Sequence, residues 1–306
     1  MSHTKRLERA RVALEGLSVA DAFGAIYEGR DPVFWLRVLE TRELPATPWL
    51  FTDDTNMALS IFSVLRQFGA INQDALAADF AARYDSRRGY GAAMHGLLAR
   101  YRRGEDWRAA AGGLFNGTGS YGNGSAMRVG LVGAYFADDL DAAVEAARLS
   151  AEVTHAHPEA EAGAIAVAVA AAVAWNVRQA GERPARADFI ARVVLHVPES
   201  EVRAGLVQAR DLRPDATAYE AITTLGNGSR VTCMDTVPFA LWCAGEQLDD
   251  YEEAFWLTLS GGGDTDTTCA IVGGIVASYT GVAGIPAAWL EAREPLSLWA
   301  FGDEEG

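Results

Sequence analysis

Lysine is almost missing from this chain of 306 residues: Lys5 is the only one, and the remaining positive charge is arginine. The balance is strongly acidic, with 41 Asp and Glu against 26 Lys and Arg and a formal net charge of −15. A surface of that sign argues against a nucleic-acid binder or an anionic-membrane protein, because both need a basic face to neutralise phosphates. Neither direct nucleic-acid contact nor membrane contact is expected. Cysteine is scarce as well. Cys233, Cys243 and Cys269 form no C-x-x-C pair and the five histidines form no H-E-x-x-H pattern, which argues against zinc. Three unpaired cysteines and the lack of a signal-peptide pattern set the expectation of a cytoplasmic protein. Long apolar runs are also wanting: "GAIAVAVAAAVAW", 163–175, is too short to span a bilayer and reads as a buried helix.

Alternating β-branched runs are few, so no sheet is expected. Alanine is abundant, and apolar residues recur at helical spacing. The pattern predicts helices over 4–29, 54–68, 74–84, 89–102, 124–136, 139–152, 157–180, 186–196, 199–211, 231–245, 249–259 and 266–280. There is no low-complexity linker; "GERPARAD", 181–188, reads as an inter-helix turn. The fold class expected is all-α, a single compact orthogonal helical domain over 1–306, with an acidic tail "GDEEG" at 302–306.

Two acidic clusters stand at predicted helix starts. "FTDDTNMALSIF", 51–62, crowds Asp53 and Asp54 between threonines just before an apolar helical run. Capping a helix needs one such side chain, and a second carboxylate adds repulsion. "LSGGGDTDTTCAIVGGIVASY", 259–279, repeats the grammar, with a glycine turn leading into Asp264, Thr265, Asp266 and Thr267. Oxygen-only donors suit hard divalent cations such as Mg²⁺, Mn²⁺ or Ca²⁺. Four acids packed together ask for two such ions to neutralise them, so a binuclear metal cleft is expected.

Between the clusters lies "LFNGTGSYGNGSAMRVG", 114–130, a glycine-rich loop before a predicted helix that begins near Gly124. Such a loop offers backbone amides to an anion without needing lysine, and Phe115 and Tyr121 flank it as candidates to sandwich a base. "LGNGSRV", 225–231, is a similar small loop. Glu28 closes the first predicted helix, where a carboxylate opposes the negative dipole end. His155 precedes a long helix in "THAHPEAEAG" and, taken alone, reads as a cap or a satisfied surface histidine.

Taken together, "GLSVADAFGAIYEG", "FTDDTNMAL", "RRGYGAAM", "GTGSYGNGSAMRVG", "THAHPEAEAGAI", "LGNG" and "GGGDTDTTCAIVGGI" resemble, in order, the ADP-ribosylglycohydrolase family, with "GSYGNGSAMR" similar to the branch acting on serine-linked and polymeric ADP-ribose. The resemblance implies that Thr52, Asp53, Asp54, Asp264, Asp266 and Thr267 ligate two Mg²⁺ or Mn²⁺ ions, with Glu28 as catalytic acid/base. It implies that Gly117, Gly119, Ser120, Tyr121, Gly122 and Asn123 hold the diphosphate and distal ribose, that Phe115 and Tyr121 flank adenine, that His155 lies near the diphosphate, and that Gly89, Tyr90 and Gly91 form another cleft loop. Ala160 departs from the pattern where glycine is usual. The partners implied are ADP-ribosylated proteins or ADP-ribose polymers, with ADP-ribose as product. A hydrolase of arginine-linked ADP-ribose, a metal-dependent nucleotide phosphohydrolase releasing AMP, and a non-catalytic ADP-ribose-binding relative are the alternatives.

Overall fold

The computed structural model describes residues 1–30 and 32–302. Helix follows helix: α1 (His3–Gly24), α2 (Pro32–Thr41), α3 (Asp53–Phe68), α4 (Gln73–Arg83), α5 (Ala92–Arg102), α6 (Trp107–Gly112), α7 (Leu114–Gly117), α8 (Gly130–Tyr135), α9 (Leu140–Glu152), α10 (Pro158–Gln179), α11 (Arg186–Val194), α12 (Glu201–Asp211), α13 (Ala218–Leu225), α14 (Cys233–Glu246), α15 (Tyr251–Leu259), α16 (Thr265–Thr280) and α17 (Ala287–Ala292). Among the described residues there is no strand, only isolated bridges pairing Trp49 with Arg293 and Gly122 with Thr232. The class is all-α, and one continuous apolar cluster runs through it. Asp303–Gly306 of the acidic tail lie outside the described residues.

Small residues set the centre. A Cβ on Gly16 would lie 2.2 Å from Ala277 Cβ, one on Gly273 would lie 2.5 Å from Ala20 Cβ, and one on Gly24 would lie 2.5 Å from the Thr265 carbonyl oxygen. These contacts run in opposite order along α1 and α16, so the two helices cross antiparallel at close backbone separation. Their geometry places the C-terminal end of α1 beside the N-terminal end of α16. α10 is long and apolar enough to cross a membrane by length and composition, yet 83% of its most apolar window is buried inside the protein. It packs against α8, α9, α14 and α16.

Several predicted boundaries shift for identifiable reasons. The helix expected over 4–29 ends at Gly24, where the chain closes on Thr265, and a 3₁₀ turn (Ala25–Tyr27) delivers Glu28 with extended backbone. The helix expected over 124–136 is replaced by a 3₁₀ turn at Asn123–Ser125 and by α8 from Gly130 onward. Tertiary hydrogen bonds win there: Asn123 Nδ2 donates to Asp264 and Thr236, and the Ser125 hydroxyl donates to the Ala160 carbonyl. α14 starts at Cys233, because Val231 sits at φ 55, off the right-handed helix. α2, α6, α7, α13 and α17 were not predicted from periodicity; all are short, below the length at which a helix holds itself, and within α7 Phe115 and Asn116 hold left-handed rather than helical backbone.

Candidate active site

The α1–α16 crossing needs a third element to make a site, and Asp21 supplies the joint. This wholly buried carboxylate accepts hydrogen bonds from Thr52 N (3.1 Å), Thr52 Oγ1 (2.7 Å), Thr55 N (3.1 Å) and Thr55 Oγ1 (2.5 Å). It therefore locks the first turn of α3 against α1. Thr52 is the N-cap of α3, accepting from Asp54 N, so Asp53 and Asp54 are free of that duty. Asp264 occupies the N-cap position of α16 yet makes no capping hydrogen bond; its Oδ2 instead accepts from Asn123 Nδ2 at 2.6 Å.

The carboxylates converge. One oxygen from each of Asp21, Asp54 and Asp266 lies within 4.8 Å of the others, and the same holds for Glu28, Asp264 and Asp266. Asp266 joins the two groups. Burial, and then the charge of Asp21, push Asp53 up to about 8; burial pushes Asp21 up to about 6 despite its four hydrogen bonds. Asp54 and Asp266 are raised well above the usual carboxylate range by burial and by their neighbours' charge. Glu28 is raised as well, first by partial desolvation and then by Asp264. Asp54 Oδ1 is buried with no hydrogen-bond partner among the described residues. An orphaned buried oxygen amid acids that repel one another is what a divalent cation would complete, and an all-oxygen donor set fits a hard one.

A cavity of about 550 Å³ opens over these acids. Glu28, Asp53, Asp54, Asp264, Asp266 and Thr267 line its acidic side, and Gly91, Phe115, Ser120, Tyr121, Gly122, Asn123 and His155 line the rest. Four of the expected residues do not line it: Tyr90 is buried behind the wall, its hydroxyl accepting from Asn56 Nδ2, and the others are Thr52, Gly117 and Gly119. Thr52 turns its hydroxyl between Asp21 and Asp54. Gly117, at φ 88, and Gly119, at φ 74, shape the loop from behind, and a Cβ on Gly119 would lie 2.8 Å from the Ala156 carbonyl carbon. The 225–228 loop interlocks with the acidic turn: a Cβ on Gly228 would lie 2.9 Å from Asp264 Cβ, and Asn227 Nδ2 donates to the Gly261 carbonyl at 2.9 Å.

The Phe115 and Tyr121 rings face each other with centroids 6.4 Å apart and planes 26° from parallel, both partly exposed. Phe115 and Asn116 hold φ of 51 and 61, and Val231, also on the cavity wall, holds φ 55. Left-handed backbone is costly for bulky and β-branched residues, and such strain gathers where a ligand is gripped. His155 is buried, and burial beside Arg128 pushes its imidazole down to about 3, so the ring is neutral.

Sequence reasoning missed Asp21, Arg128, Thr154 and Met57. Asp21 and Arg128 carried a usable sign, since each is a lone charged residue inside an apolar helical pattern, "LSVADAFG" and "SAMRVG". A charge buried in that position must have a partner.

A family model described as ADP-ribosylglycohydrolase matches residues 2–304. The ADP-ribosylhydrolase ARH3 of Bos taurus is 30% identical, over 95% of this chain and 90% of its own length. The ADP-ribosylhydrolase ARH3 of Homo sapiens is 29% identical over the same shares, 95% and 90%. A solved structure of an ADP-ribosylglycohydrolase-related protein complex matches with a TM-score of 0.65 at 27% identity, covering 96% of this chain and 94% of that one.

Proposed function

The chain belongs to the ADP-ribosylglycohydrolase family and is a glycosyl hydrolase of ADP-ribose; from that premise we propose that it uses divalent cations to release ADP-ribose from oxygen linkages, on protein serine or in ADP-ribose polymers. The observation that carries the reading is the grouping of Glu28 with Asp264 and Asp266, their carboxylate oxygens within 4.8 Å, at a cavity whose other wall is a glycine loop between two aromatic rings. Asp53, Asp54, Asp264, Asp266 and Thr267 are the residues that would hold Mg²⁺ or Mn²⁺, with Asp21 behind them. Bound cations supply the countercharge that lets these acids ionise together and orient the ribose hydroxyls around C1″.

Glu28 does the proton work. Its raised carboxyl retains a proton more readily than an ordinary glutamate, and it gives that proton to the departing oxygen as the C1″–O bond breaks. The carboxylate left behind takes a proton from the water that closes on C1″, through a transition state with oxocarbenium character. Gly122 N donates to Ser120 Oγ and Asn123 N to the Val231 carbonyl, so the backbone amides of Ser120 and Tyr121 are the ones that bind the diphosphate without lysine. A serine or ribose oxygen is a poor leaving group that needs this proton. The reading also sets the enzyme in a reducing cytoplasm, which three buried, unpaired cysteines support.

The test is to incubate the protein with Mg²⁺ and equal amounts of serine-linked and arginine-linked ADP-ribosylated peptides and to follow the products by mass spectrometry. Faster loss of ADP-ribose from serine is expected. Faster loss from arginine would overturn the linkage, and release of AMP would overturn the bond assigned.

A further inference from the structure

Resting on the ADP-ribose reading, we infer that Arg128 and Thr154 are positioning residues that fix His155 as a neutral imidazole protonated on Nε2, aimed at an anionic diphosphate oxygen.

Arg128 is wholly buried, and among the described residues no carboxylate hydrogen-bonds to it, although the charge of Asp53 acts on it through space. Its Nη2 donates to the Ser150 carbonyl (3.0 Å) and to Thr154 Oγ1 (2.8 Å), Nη1 points at Met57 Sδ (3.5 Å), and the guanidinium lies 4.7 Å from the centroid of the Phe80 ring. A buried charge served this sparsely is costly, so its place calls for an explanation beyond packing.

The explanation lies one bond further. Thr154 Oγ1, also buried, is 2.7 Å from His155 Nδ1. A threonine hydroxyl has one proton, and a guanidinium only donates. Oγ1 therefore accepts from Arg128, and among the described residues Nδ1 is the remaining partner to which the hydroxyl proton can go. Nδ1 is thus an acceptor, and a neutral ring then carries its own proton on Nε2. That edge faces the glycine loop: a Cβ on Gly122 would lie 3.3 Å from Nε2, and one on Gly124 would lie 3.0 Å from it. Both glycines line the cavity with His155. Any side chain at either position would cover the Nε2–H donor. The opposite tautomer would present a lone pair to an anion, so the relay selects an acceptor such as a phosphoryl oxygen.

The tautomer is read directly on the full chain by long-range proton–nitrogen correlation of labelled histidine at neutral pH, without ligand. Protonated Nε2 and bare Nδ1 are expected. Thr154→Val removes the hydroxyl; it should unfix the tautomer and weaken binding of ADP, the probe used, by about tenfold to a hundredfold, while Thr154→Ser restores both. A protonated Nδ1 in the unmodified protein, or a Thr154→Val variant with unaltered tautomer and ADP affinity, would overturn the inference. A fixed Nε2–H with ADP binding but no glycoside cleavage would count against the proposed function and leave this inference standing.

Discussion

At the scale of single residues, the chemistry divides between acids held deep and one acid at the rim. Asp53, Asp54 and Asp266 are buried, whereas Glu28 is exposed at the mouth of the cavity, delivered there by the 3₁₀ turn that follows α1. A residue in that place contributes little to the core and much to proton transfer. Glu28→Gln keeps the volume and removes the proton, so turnover on serine-linked peptide should fall by about 10²- to 10⁴-fold. Binding of ADP-ribose, followed by calorimetry, should stay close to that of the unmodified protein. Retained turnover would take Glu28 out of the mechanism. Asp21 belongs to the opposite kind: its four hydrogen bonds tie α3 to α1, and its effect on catalysis runs through the placement of Asp53 and Asp54.

At the scale of elements, the site depends on how closely α1 and α16 approach. A methyl group on Gly273 would meet Ala20 Cβ and the Gly16 carbonyl oxygen, both at 2.5 Å, and neither belongs to a side chain that can swing aside. Gly273→Ala should therefore destabilise the protein by about 2 kcal/mol through overpacking and lower its affinity for Mn²⁺, because α16 carries Asp266. Gly96→Ala, where nothing lies within 4 Å of the new methyl on α5, should stabilise by roughly 0.5–1 kcal/mol through helix propensity. Chemical denaturation of both variants checks the pair; equal effects would refute the account of the crossing. This element pair was partly legible in the sequence. The acidic pairs announced themselves by crowding more charge than a cap uses. The glycine spacing that mates Gly16 with Gly273 did not, because a small-residue stripe has no partner until the fold chooses one. Helix starts near Gly124 and at 231 were misplaced because side-chain hydrogen bonds from Asn123 and Ser125, and the left-handed Val231, overrode propensity. The Thr217–Glu220 capping box that starts α13 is legible in the sequence as T-x-x-E.

At the scale of the whole molecule, an acidic protein takes a phosphate-rich substrate, and the central claim is that divalent cations in the carboxylate cluster resolve this conflict. The claim has a pH signature. Without metal, Asp21 and Asp53 titrate at about 6 and about 8, both above the ordinary carboxylate value of 3.8. Groups raised on folding contribute stability that is present below the unfolded value and is lost as pH rises through the folded one. The metal-free protein should accordingly lose stability between pH about 4 and about 8, whereas cations replace those protons at the alkaline end. The direct measurement is the melting temperature of chelator-treated protein with and without Mg²⁺ or Mn²⁺, at mildly acidic and mildly alkaline pH. At about 100 times Kd, ligation contributes about 2.7 kcal/mol, so the account predicts a rise of several degrees at alkaline pH and a smaller one in acid. A melting temperature indifferent to both metals at alkaline pH would contradict it.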